Sequence, residues 1–146
     1  AEIKTAELAG EASEIGKCLA EEIKNVAAKT IWLYGGETTV TIRKSGRGLL
    51  RKPSGGRNQE LALAALPFLK EGELVLSLAS DGRDNGKYAG AIADSETKRK
   101  AAALNLAPAE FLANNQSTDF FEKTGDLLMT GDTGSNVSDL VIAIKA

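Results

Sequence analysis

The chain has 146 residues, a formal net charge of -2, 42% hydrophobic and 26% charged residues, the make-up of one folded domain with one core and not of a disordered chain. No apolar run approaches the roughly 20 residues that cross a bilayer, and the charge gives no global attraction to nucleic acid. Histidine is absent and Cys18 is the single cysteine, which excludes Ser-His-Asp and Cys-His nucleophile systems, a structural zinc site and an internal disulfide.

Leu8, Ala12, Ile15, Leu19, Ile23 and Val26 recur at helical steps, predicting one helix over 5–29 with Glu11, Glu14, Lys17, Glu21 and Lys24 on its outer face. Cys18, beside that stripe, reads as a buried or half-buried structural thiol, and a reducing cytoplasm is the expected location. Gly10 and Gly16 weaken a helix, so at least one of them reads as a close packing contact. Thr30 to Tyr34 is a β-branched and aromatic strand ending in a Gly35-Gly36 turn, and Thr38 to Arg43 reads as a second strand.

Lys44 to Gly56 reads as a mobile basic loop whose Leu49-Leu50 pair docks elsewhere; Arg43, Lys44, Arg47, Arg51, Lys52 and Arg57 make a local basic cluster. Asn58 is placed to cap a helix running to Lys70, with Pro67 kinking it or opening its last turn. Leu74 to Ala79 is a nearly continuous apolar strand, as in a sheet covered on both faces. Helices are expected over Ser95 to Leu104, Pro108 to Ala113 and Thr118 to Lys123, the last capped by Ser117 and closed by Gly125. Strands Leu127 to Thr130 and Leu140 to Ile144 finish the chain. The alternation predicts a single α/β domain with a parallel or mixed sheet and helices packed on it.

Four glycine-punctuated polar segments stand out: 35–39, 55–60, 80–84 and 130–136. Glycine turns expose backbone N–H groups to phosphate or carboxylate oxygens, and in open α/β sheets ligands bind at the carboxyl ends of strands. The four are therefore expected to converge on one rim. Arg57, between a Gly-Gly turn and a helix start, is the candidate anion clamp, with Glu60 one turn further on as a partner that orients it. Asp81 behind a buried strand suits a Mg²⁺ ligand, Asp84 suits a turn, and Glu37 suits a cation or a substrate hydroxyl. The stretch Gly131 to Asn136, with Thr133, Gly134 and Ser135, suits a phosphate nest. Neither a Walker A loop nor a Gly-x-Gly-x-x-Gly fingerprint is present. Residue chemistry alone thus reaches an anion site, with metal assistance left open.

Taken in order, Gly35-Gly36-Glu37-Thr38-Thr39-Val40, Gly55-Gly56-Arg57-Asn58-Gln59-Glu60-Leu61-Ala62-Leu63, Ser80-Asp81-Gly82, Ala89-Gly90-Ala91-Ile92 and Gly131-Asp132-Thr133-Gly134-Ser135-Asn136-Val137-Ser138-Asp139-Leu140 resemble the C-terminal MOFRL domain of the two-domain glycerate 2-kinases. The resemblance implies ATP-dependent phosphorylation of D-glycerate at its 2-hydroxyl, in a cleft between this domain and an N-terminal Rossmann-like domain, here a separate partner or an absent part of a longer chain. It makes ATP the cosubstrate and Mg²⁺ the expected ion, makes Arg57 the cleft arginine, and puts Glu37, Asn58, Asp81 and Asn136 in polar motif positions. The isolated domain is expected to lack turnover.

Some members of that family are named hydroxypyruvate reductases. A nicotinamide-dependent reductase and a non-catalytic small-anion-binding domain therefore remain open, as does a homo-oligomer. Three departures from the family pattern stand near the motifs: the link 48–54 is longer, Asn85 replaces a common glycine, and Asp132 replaces a frequent proline. A carboxylate at Asp132 repels phosphate unless a cation intervenes.

Overall fold

The computed structural model describes residues 1–42 and 52–146. Its six strands are β1 (Glu2–Glu11), β2 (Thr30–Thr39), β3 (Glu73–Ala79), β4 (Gly90–Asp94), β5 (Leu127–Leu128) and β6 (Asp139–Lys145). They form one sheet in the order β1-β2-β6-β3-β4-β5, in which β1 and β2 run parallel and every other pair antiparallel. The sheet is thus mixed, within the expected α/β class.

The first predicted helix is half strand. Residues 2–11 pair with β2, and α1 occupies only Ala12–Ile23. Leu8 keeps its place against the core from the strand, so its helical spacing to Ala12 is a coincidence of two elements meeting. Gly10, at φ 125°, lies outside helical conformation and marks the change. The shortened α1 buries Ala12, Gly16, Leu19, Ala20 and Ile23, which turns Cys18 to the exposed side. The expectation of a buried or half-buried thiol is therefore corrected.

Gly35-Gly36 is not a turn. β2 runs through both glycines to Thr39, because the register of β1 slips between Thr5 and Leu8 and brings its backbone against Gly36. A Cβ on Gly36 would lie 2.3 Å from the Leu8 carbonyl oxygen, and its φ of 140° suits glycine alone. Among the described residues the strand expected over Thr38 to Arg43 is only the end of β2 at Thr39, and residues 43–51, including Leu49 and Leu50 of the basic loop, lie outside the described residues.

Helix α2 (Arg57–Ala65) runs into a 3-10 turn over Leu66–Phe68 that takes Pro67 without interrupting an α-helix. Gly56 is its cap position; Asn58 lies inside the first turn. Helices α3 (Ser95–Ala103), α4 (Pro108–Ala113) and α5 (Ser117–Thr124) follow. Asp94 caps α3 by accepting from the Thr97 amide, and Gly125 closes α5 in the left-handed region. Ser117 is the first residue of α5 and donates to the Ser54 carbonyl instead of capping. β4 was not expected: its Gly-Ala-Ile-Ala-Asp sequence is poor in strand-forming residues. It is held because Gly90 lets it lie against β3, where a Cβ would sit 1.9 Å from the Ser77 carbonyl oxygen.

The buried core lies between one sheet face and the helices. Trp32, Val75, Ala93 and Ala143 from the strands meet Leu19, Ile23, Leu61 and Leu66 from α1, α2 and the turn. Alternation along β2, β3 and β6 leaves the other face half-buried to exposed. The strand Leu74 to Ala79 is therefore covered on one side by described helices, not on both.

Candidate functional site

The four glycine segments meet at one end of the sheet. The ends of β2 and β3 and the start of the antiparallel β6 lie there, together with the N-terminus of α2. Ser138 Oγ donates to the Gly36 carbonyl at 3.1 Å, Thr133 Oγ1 donates to the Ser80 carbonyl, and Asn85 Nδ2 donates to the Gly55 carbonyl at 3.0 Å. Gly56 packs on Asp84, and Gly82 packs on Gly131, each so closely that a Cβ would lie 2.2 Å and 1.9 Å from the facing oxygen. Glycine is thus required where the segments touch one another.

Asp84, 4% exposed, organises the start of α2. Its Oδ1 accepts from the backbone N–H of Asn58 at 3.1 Å and its Oδ2 from that of Gln59 at 2.9 Å, which satisfies two of the amides that a helix N-terminus leaves unpaired. Asn58 Nδ2 donates to the same carboxylate at 3.2 Å, while Asn58 Oδ1 accepts from Ser77 Oγ at 2.6 Å. Asn58, 1% exposed, therefore braces Asp84 inside the protein. Burial lifts the Asp84 carboxyl above its ordinary value, and the hydrogen bonds from Gln59 and Asn58 pull it back in part.

Arg57 leaves α2 at its first residue and reaches across the rim. Its Nε and Nη2 grip the two oxygens of Asp139, and Nη2 also donates to Glu37 Oε1 at 2.9 Å. Asp139 is 4% exposed, whereas the Glu37 side chain is 59% exposed. The hydrogen bond to Asp139 raises the Arg57 pKa further, so the guanidinium is a fixed positive charge. Arg57 lines a cleft of about 460 Å³ with Thr38, Gly55, Arg83 and Asn85. Among the described residues Nη1 has no hydrogen-bond partner. Glu60, considered as the residue orienting Arg57, is buried and accepts from Asn115 Nδ2 at 3.0 Å instead. Asp139 holds that role.

A second cleft of about 610 Å³ adjoins the first and shares Arg83 and Asn85 with it; Lys87, Gly131 and Asp132 complete its wall. Arg83 Nη2 donates to Asp132 Oδ2 at 3.2 Å. Asp132 thus has a cationic partner within the chain. Asn85 adopts φ 58°, a left-handed conformation that asparagine tolerates, so it can replace a glycine at that position.

The last loop is exposed and largely self-contained. The amides of Gly134, Ser135 and Ser138 donate to Asp132, Thr133 and Asn136 side chains, those of Thr133 and Val137 to Asp81 and Ser80. Gly131 faces the second cleft, and Thr133, Gly134, Ser135 and Asn136 hold the loop's shape behind it. Asp81 Oδ1 accepts from the Arg83 amide at 2.9 Å. Among the described residues no group of three or more Asp, Glu, His or Cys side chains is placed to hold a metal ion. Asp139, Arg83 and Asn85 were not singled out as site residues in the sequence, although they hold Arg57 or line the clefts. Asp139 stands within the last family motif, which was the available signal.

The MOFRL family pattern matches residues 30–139. A D-glycerate 2-kinase of Thermotoga maritima is 40% identical over 99% of this chain and 35% of its own length, and a glycerate 2-kinase of Pyrococcus horikoshii is 35% identical over 97% and 33%. The crystal structure of a glycerate kinase from Thermotoga maritima superimposes with a TM-score of 0.88 at 35% identity, covering 99% of this chain and 36% of that one. The chain spans about a third of the length of these relatives. The matched span takes in β2 to the start of β6, including the rim and Arg57, and the chain belongs to the MOFRL family.

Proposed function

We propose that this chain is the C-terminal domain of an ATP-dependent glycerate 2-kinase, and that its rim is one wall of a cleft closed by an N-terminal Rossmann-like domain. The observation that carries the reading is Arg57, held by Asp139 and Glu37 and lining a cleft on the rim where four glycine segments meet. Phosphoryl transfer asks mainly for positioning and charge neutralisation, which a fixed guanidinium provides without histidine. Arg57 would take the carboxylate of D-glycerate or an oxygen of the transferring phosphoryl group through its Nη1 edge. Gly131 would face phosphate from the second cleft, with Arg83 masking the Asp132 charge and the rest of the loop to Asn136 holding Gly131 in place.

One carboxylate is consistent with Mg²⁺, an ion that commonly takes one or two protein carboxylates and fills its shell with phosphate oxygens and water. Asp81 would be that carboxylate, since the Arg83 amide takes its Oδ1 alone, whereas both oxygens of Asp84 and of Asp139 are engaged, by amides and by Arg57. Mg²⁺ there would neutralise phosphate charge. A cytoplasmic setting suits the free thiol of Cys18.

ADP release coupled to D-glycerate, measured on this chain alone and on the protein joined to its N-terminal domain, tests the reading. Turnover is expected only with both domains. Turnover by this chain alone, or hydroxypyruvate-dependent NADH oxidation without ADP release by the two-domain protein, overturns it.

A further inference from the structure

The sheet face away from the helices carries a continuous aliphatic row. Ile3, Leu33, Ile142, Leu76 and Ile92 stand opposite one another on five adjacent strands, so their side chains project to the same side. Flanking rows set Ile31 beside Ile144 and Leu140 beside Leu78. Beneath the helices the same strands carry Ala93, Ala143 and Val75. The larger branched residues thus occupy the face that no described helix covers, and none of the five in the central row belongs to the buried cluster. Ile3 is 75% exposed, Leu140 42% and Ile31 37%, whereas Leu33, Ile142, Leu76 and Ile92 are half-buried among their neighbours.

Strands about 4.8 Å apart and rows about 6.7 Å apart make this face roughly 500 Å². Aliphatic patches of several hundred Å² mark interaction surfaces, and two such faces together reach the ~1,000 Å² that a specific interface needs. The central row holds no charged side chain, so an identical copy meets no like-charge repulsion there. Twisted sheets pack face to face about 10 Å apart with strands within about 30°. The clefts open at the strand ends, so a copy lying on the face leaves them accessible.

We propose that this face is a two-fold interface with a second copy of the chain, with Leu76 and Ile142 at its centre. The interface stands at the small end of the specific range, so the dimer dissociates at micromolar concentration.

Sedimentation equilibrium from about 5 to about 500 μM tests this, with a dissociation constant on the order of 10 μM expected. Ile142→Lys buries an unpaired charge at the centre and is expected to give a monomer throughout. Ile3→Lys, at the exposed end of the row and outside the core, keeps the test open should Ile142→Lys not fold; it is expected to raise the dissociation constant about tenfold. Leu104→Lys, at the end of α3 and 51% exposed, is the control and leaves the dimer unchanged. A monomer at the highest concentration overturns the proposal, as does a dimer that Ile3→Lys and Ile142→Lys both leave intact. A two-domain protein that stays monomeric while its N-terminal domain shields the face from an apolar dye assigns the face to that domain and overturns it as well.

Discussion

Arg57 and Asp139, 82 residues apart in sequence, form a two-point ion pair in which Nε donates to one carboxylate oxygen and Nη2 to the other. Two parallel bonds fix both the position and the plane of the guanidinium, which a lysine could not do. Asp139 is buried and starts β6, so the whole sheet sets the direction in which Arg57 points.

If Arg57 makes the transition-state contact and Asp139 acts only through it, the two should not be independent. Arg57→Ala in the two-domain protein is expected to lower kcat by about 10²-fold, the scale of one preorganised contact. Asp139→Asn, which leaves one acceptor where there were two, is expected to lower it by about tenfold with a smaller change in KM. The double variant should match Arg57→Ala alone. Losses that multiply in the double variant would count against a positioning role for Asp139.

Gly16 lies where α1 crosses α2, and a Cβ there would sit 2.1 Å from the Leu61 carbonyl oxygen. Backbone cannot rotate out of the way as a side chain can. Gly16→Ala is therefore expected to destabilise the fold by about 2 kcal/mol despite the better helix propensity of alanine. Urea unfolding of the two proteins measures it, and a more stable Gly16→Ala would show that the helices can part without loss.

Tyr34 is 6% exposed, and its hydroxyl has no hydrogen-bond partner among the described residues. Burial and the nearby Glu22 and Glu2 push its pKa up to about 12. Removing an unsatisfied buried hydroxyl while keeping the ring should gain about 1 kcal/mol. Tyr34→Phe is thus expected to raise the thermal midpoint, and a lowered midpoint would reveal a partner for the hydroxyl.

Asp84 carries a pH signature. Its native carboxyl titrates above the ordinary 3.8 because burial disfavours the charge. The native state then holds that proton more tightly than the unfolded chain, so the contribution of Asp84 is complete below the unfolded value and is lost as pH rises through the native one. The stability of the wild type minus that of Asp84→Asn is expected to shrink as pH rises from about 4 towards neutrality. Denaturant titrations at both pH values check the sign; a difference that widens with pH would mean that the amide bonds outweigh burial.

Much of the helical part was readable because its signals are local. Gly125 closes α5 because, lacking a Cβ, it accepts the left-handed conformation there, and Pro108 opens α4 because its ring fixes a helical φ where no amide is needed. Gly16 was legible as a packing contact, although the residue it meets was not. β1 was misread because Leu8 and Ala12 fall at helical spacing across a junction of two elements. β4 was missed because its residues are small, and only the neighbouring backbone of β3 makes it a strand.

The sequence by itself determined the α/β class, the four glycine segments and the arginine among them, because composition, periodicity and turn chemistry act over a few residues. Only the tertiary structure decided that Asp139 and not Glu60 holds Arg57, that Asp84 caps α2, and that one sheet face lies beyond the described helices. Those relationships depend on strand register and on contacts across tens of residues, where a shift of one position turns every side chain to the opposite face.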